Sequence, residues 1–134
     1  SQEGYRMLIK DAAAASGLPA KTIRYYESLG LVQSRRADNG YRQYGTRDVE
    51  RMQFLARSRT LGFSLEECRS LLELYDDPGR ASAAVNELAR QHLNELDDKI
   101  RELNAMKHTL TGLVSRCPGN QSPDCAILDS LAHG

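Results

Sequence analysis

Two cysteines near the end of the sequence, Cys117 and Cys125, hold the residue types with the most specific chemistry. They bracket Pro118-Gly119-Asn120-Gln121-Ser122-Pro123-Asp124, a short run stiffened by two prolines and loosened by one glycine. Such a loop can bring both sulfurs to one point. Thiolates are soft ligands, so a converging pair in an intracellular protein favours a soft metal ion. A disulfide across the loop is the rival use of the same pair. A structural zinc site lacks ligands unless two protomers share it. Cys68 stands three residues from both Leu65 and Leu71, the spacing of a small packing residue. His92, His108 and His133 have no tight spacing to the loop and read as surface or seam residues, with His133, close to the terminus, alone kept open as a ligand.

The elements that must position the loop lie upstream. From Ser82 to Arg116 there is no proline, and no glycine before Gly112. At 1.5 Å per residue this predicts a helix of roughly 50 Å. Leu93, Leu96, Ile100, Leu103, Leu110 and Val114 follow alternating three- and four-residue spacing, with Lys107 in the one seam position that breaks the run. So long a stripe cannot bury itself within 134 residues. It calls for a second copy of the chain, in a parallel or antiparallel coiled coil. Pro118 ends the helix. Ala126 to Leu131 forms a short terminal helix whose Ile127, Leu128 and Leu131 are expected to cover the loop and exclude water.

The front of the chain reads differently. Formal charge is zero overall, yet residues 1–69 hold 12 Lys+Arg against 8 Asp+Glu, and residues 70–134 hold 6 against 10. Only the front half has the balance to meet nucleic acid. An alanine-rich helix from Leu8 stops at Gly17, and Leu18-Pro19 turns into a second helix over Ala20 to Leu29. Two short helices joined this way form a helix-turn-helix, whose second helix enters the major groove. Ile23 and Leu29 face the core, while Lys21, Arg24, Tyr25 and Tyr26 are candidates for DNA contact. Arg35 and Arg36, then Asp38-Asn39-Gly40, then Tyr41-Arg42-Gln43-Tyr44 predict a hairpin wing, since Asn39 and Gly40 both tolerate positive φ. Arg35, Arg36, Arg42 and Tyr44 would lie along the sugar-phosphate backbone. A third helix capped by Thr46 runs to about Leu61, and Arg59 near its end can reach phosphate. Ser64-Leu65-Glu66-Glu67 is a capping box opening a fourth helix to about Tyr75. Asp76-Asp77-Pro78-Gly79 is the clearest boundary in the chain.

The expected fold is mostly α. A winged helix-turn-helix DNA-binding domain with connector helices spans 7–77, a dimerisation helix spans 81–116, and a metal-binding loop with a short helix spans 117–134. Ser1 to Arg6 are left outside this reading. No apolar run is long enough to span a membrane and no signal peptide is present. With an odd cysteine count, that leads to an expectation of a cytoplasmic protein. No Ser-His-Asp, paired-carboxylate or phosphate-loop pattern points to an enzyme.

Together, Thr22-Ile23-Arg24-Tyr25-Tyr26-Glu27, Gly30-Leu31, Asn39 to Tyr44 and Leu61-Gly62-Phe63-Ser64-Leu65-Glu66-Glu67 resemble the MerR family of bacterial transcriptional regulators. The resemblance covers nearly the whole chain from Met7. The tail from Cys117-Pro118-Gly119 to Asp124-Cys125 is similar to the copper-sensing CueR/HmrR branch. The resemblance implies a homodimer with an antiparallel helix between protomers, bound to double-stranded promoter DNA. It implies repression without inducer. With inducer, it implies distortion of an over-long promoter spacer so that RNA polymerase, touched only through the promoter, can engage. It also places a residue from the start of the dimerisation helix at the partner's metal site, cysteine in divalent-metal sensors and serine in monovalent-ion sensors. Here that residue is Ser82.

The coordination chemistry agrees. Zn(II) prefers about four ligands, whereas a monovalent d¹⁰ ion such as Cu(I) is content with two thiolates. The expectation is one Cu(I) per chain, with Ag(I) and Au(I) poorly distinguished by two sulfurs, and activation of metal-efflux and detoxification genes. The alternative is a divalent-metal or thiol-redox sensor on the same scaffold. An iron–sulfur sensor needs four clustered cysteines, and a drug-binding regulator needs a larger domain than the 18 residues after Arg116 supply.

Overall fold

The computed structural model describes residues 6–134, so Ser1 to Tyr5 lie outside the described residues. Helices α1 (Ile9–Ser16) and α2 (Ala20–Ser28) are followed by strands β1 (Arg35–Arg36) and β2 (Arg42–Gln43). Helices α3 (Thr46–Thr60), α4 (Leu65–Asp76), α5 (Ser82–Arg116) and α6 (Ala126–His133) complete the chain. It forms two compact units, one running to Val85 and the other from Asn86 to Gly134.

In the first unit α1 packs on α2 and α3, and α3 on α4, around Ala12, Ile23, Leu31, Val32, Met52, Leu55 and Leu72. Cys68 is fully buried in this core, as its spacing predicts. The hairpin pairs Arg35 with Gln43 and Arg36 with Arg42. In its turn Gly40 N–H donates to Ala37 O at 2.9 Å, and of the Asn-Gly pair only Gly40, at φ 85°, takes a left-handed conformation. Asn39 keeps negative φ and instead accepts the Tyr41 N–H on its side-chain oxygen at 3.1 Å. The base of the wing is closed by Met7 and Tyr44, whose backbones exchange two 2.8 Å hydrogen bonds.

Helix α3 is capped at Gly45, not Thr46: the Asp48 carboxylate accepts the Gly45 N–H at 2.8 Å, which makes Thr46 the first helical residue. Leu61 lies just past the helix and is exposed. The capping box of α4 forms as read, with Ser64 Oγ accepting the Glu67 N–H at 3.1 Å and Glu67 accepting the Ser64 N–H at 2.8 Å. Arg51 donates to both Asp76 oxygens at 2.8 and 2.9 Å, holding the end of α4 against α3.

In the second unit α5 is continuous to Arg116. Leu93, Ile100, Leu103, Leu110 and Val114 are exposed along it in the single chain, and Leu96 is half-buried. Met106 is also exposed, three residues after Leu103 and four before Leu110. It continues the apolar stripe where Lys107 breaks the strict heptad.

Candidate metal centre and nucleic-acid interface

Cys117 is the first residue past α5, and Cys125 is the N-cap of α6. The loop between them is folded back by its own short hydrogen bonds. Asn120 Oδ1 accepts the Ser122 N–H at 2.8 Å, and Ser122 Oγ accepts the Asp124 N–H at 3.2 Å. Gly119, at φ 69°, supplies the left-handed step that a residue with a Cβ adopts rarely. The result is that the two sulfurs stand 3.5 Å apart, both as free, half-buried thiols. The Cys125 thiol is held below its ordinary pKa, first by the Leu128 N–H, then by the Cys117 thiol and the Ile127 N–H. A helix N-terminus thus favours the thiolate, the form that binds metal.

The donor set fits a soft ion of low coordination number. Among the described residues, no third His, Cys, Asp or Glu completes a three-ligand cluster with this pair. The expected cover by α6 is only partial. Ala126 and Ile127 are half-buried, but Leu128 and Leu131 are exposed, because burial fades after the helix's first turn. His133 sets its Nδ1 against Asp129 O at 3.2 Å, an interaction within its own helix. His92, read as a surface or seam residue, is buried, and His108 is exposed. Ser82 opens α5 and is exposed.

The candidate DNA residues divide. Lys21, Arg24 and Tyr25 are exposed on α2, and Arg35 and Arg36 on β1. A groove of about 390 Å³ is lined by Leu8, Lys10, Arg24, Arg36, Tyr41 and Arg42, among others, placing several cations between the helix-turn-helix and the wing. Arg36 is steadied by a 2.9 Å bond to Gly40 O. Arg59 is exposed and also closes the α3–α4 turn, donating to Phe63 O at 2.7 Å.

Two assignments need correction. Tyr44 is fully buried and Tyr26 nearly so, so both rings belong to the core and not to a DNA-facing surface. Tyr26 lies three residues after the buried Ile23, on the same face of α2. The Tyr44 hydroxyl donates to Glu27 Oε1 at 2.9 Å, and burial, followed by this bond, pushes its pKa up to about 12. Glu27 was not singled out as a site residue, yet it also accepts from Ser34 Oγ at 2.7 Å and pairs with Arg42 Nε at 3.5 Å. It therefore ties the end of the recognition helix to the wing. Its one advance sign was a carboxylate in an otherwise basic segment.

Comparison with known proteins decides the family. The profile described as "MerR HTH family regulatory protein" matches residues 7–74, and "MerR, DNA binding" matches residues 49–113. The chain belongs to the MerR family. It is 55% identical over 128 residues to the HTH-type transcriptional regulator HmrR of Rhizobium leguminosarum bv. viciae, covering 96% of this chain and 99% of that one. To the HTH-type transcriptional regulator CueR of Yersinia pestis it is 42% identical, covering 94% and 91%. The structure of PbrR691 from Ralstonia metallidurans CH34 in complex with lead(II) superposes with a TM-score of 0.78 at 32% identity, covering 93% and 98%. This MerR-family chain is thus a DNA-binding transcriptional regulator, and its relatives are regulators and not enzymes. Among the described residues, no helix is long and apolar enough to cross a membrane.

Proposed function

We propose that this regulator senses Cu(I), one ion per chain, through Cys117 and Cys125. It works in the cytoplasm as a homodimer on promoter DNA, and with metal bound it activates efflux and detoxification genes by distorting that DNA. The observation that carries the reading is a pair of free thiols 3.5 Å apart, with no third ligand completing a cluster with them among the described residues. Relatives named HmrR and CueR support it.

A monovalent ion between two thiolates leaves a single net negative charge, whereas a divalent ion leaves none. A half-buried site can therefore discriminate by charge as well as by softness. Ser82 supports the monovalent reading, since serine adds no further thiolate to the partner's site. Ag(I) and Au(I) share the same charge and softness and are expected to act as inducers too. The exposed seam of α5 supplies the face for the second chain, and a two-fold dimer matches a palindromic operator. Lys21, Arg24, Tyr25, Arg35, Arg36, Arg42 and Arg59 are the contacts proposed for DNA. RNA polymerase is affected only through the altered promoter. Induction then requires a differential affinity of the ion for two DNA-bound states, a coupling typically of about 5–150-fold.

Run-off transcription with Cys117→Ser and Cys125→Ser tests the proposal. Each variant should lose Cu(I) induction while keeping wild-type affinity for the operator. Loss of operator binding would show that the pair builds the DNA-binding form instead of switching it.

A further inference from the structure

Resting on the metal-site reading above, we propose that Cys117 and Cys125 also form a reversible disulfide that excludes the ion. The site is then a thiol–disulfide modification site as well as a metal site. Two free sulfurs already stand 3.5 Å apart, so closure to a bond of about 2.05 Å asks for a movement of only about 1.5 Å. Hydrogen bonds at Asn120 and Ser122 fold the loop into this form, and backbone bonds from Cys117 N–H to Val114 O and from Asp129 N–H to Cys125 O fix its ends. Both thiols are half-buried, while Pro118 and Asp124 beside them are exposed, which leaves a small oxidant a path to sulfur. Cys68 is fully buried in the first unit and is removed from competition.

The oxidant required is a low-molecular-weight disulfide. The Cys125 thiolate attacks one of its sulfurs, breaking that S–S bond and releasing one small thiol, which takes the proton Cys125 gave up. The Cys117 thiolate then attacks Cys125 Sγ of the mixed disulfide and expels the second small thiol, which takes the Cys117 proton. Two protein thiols are oxidised and one small disulfide is reduced to two thiols. The sulfurs then bond to each other and offer no thiolate to a metal. Oxidising conditions would leave the regulator deaf to its inducer until a thiol reductant restores the pair.

The test uses the full chain, reduced anaerobically and equilibrated with glutathione buffers of rising oxidised fraction. Acid quenching, unfolding and alkylation then count the thiols by mass. After removal of glutathione, Ag(I) uptake is measured on the same samples. The wild type should fall from three alkylatable thiols to one, Cys68, and lose Ag(I) uptake, with dithiothreitol restoring both. Cys117→Ser should stop at a glutathione adduct on Cys125. Three thiols persisting in oxidised buffer, a stable mixed disulfide in the wild type, or Ag(I) uptake by the oxidised chain would each overturn the inference. Failure of the reduced chain to take up Ag(I) would overturn the metal reading instead.

Discussion

Cys68 and the loop pair show how position separates residues of one type. Cys68 is buried, and that burial pushes its thiol above the ordinary value. Cys125 is held below it by amide donors at the start of α6. Brief alkylation of the folded, reduced protein should therefore label Cys117 and Cys125 and spare Cys68, which mass mapping can check. Labelling of Cys68 at a comparable rate would contradict the packing assignment. Tyr44 gives a second prediction. Its pKa rises from 10.0 to about 12, so the folded state holds the phenol proton more tightly than the unfolded chain does. That contribution is complete below pH 10 and is lost as pH rises through about 12. Urea midpoints should fall across this window in the wild type and fall less in Tyr44→Phe. At neutral pH, Tyr44→Phe should lose roughly 1.5–3 kcal/mol, the range for a hydrogen bond to a charged group. The cysteine pair was legible because Pro, Gly and eight-residue spacing are local signals. Tyr44 was not: its partner, Glu27, lies 17 residues away on another element.

At the scale of elements, the sequence marks helices by their ends. Ser64 and Glu67 satisfy each other's amides, and Ser64→Ala should cost about 1 kcal/mol, read from urea unfolding. The reading slipped where one local signal displaced another. Thr46 has a good cap chemistry, yet Asp48 reaches back to Gly45 and moves the start by one residue. In the wing, Asn39-Gly40 signalled the hairpin, and the structure closes its loop between Ala37 and Tyr41, with the Ala37 N–H donating to Tyr41 O at 2.9 Å. The leucine stripe of α5 was legible from periodicity alone, although Met106 escaped a strict heptad count. Ile100→Asp together with Leu103→Asp should break the proposed dimer and halve the mass in sedimentation equilibrium. An unchanged mass would place the dimer contact elsewhere.

For the whole molecule, zero net charge conceals a basic front and an acidic back, and the first unit carries the groove of arginines beside the wing. DNA affinity should fall with salt through counterion release. Lys21→Gln should weaken binding uniformly across sequences and reduce the log–log salt slope by about 1. An unaltered slope would remove Lys21 from the phosphate contacts. The family was legible because its segments, from Thr22 to Glu67, are several and specific, and all fall in the first unit. The identity of the metal rests on fewer residues, Cys117, Cys125 and Ser82. The central claim is best tested by anaerobic titration of the reduced protein with Cu(I) against a competing chelator, with Zn(II) in parallel. One tightly held Cu(I) per chain, lost in Cys117→Ser, with weak Zn(II), is the predicted result. Tight Zn(II), or no tight metal at all, would contradict it.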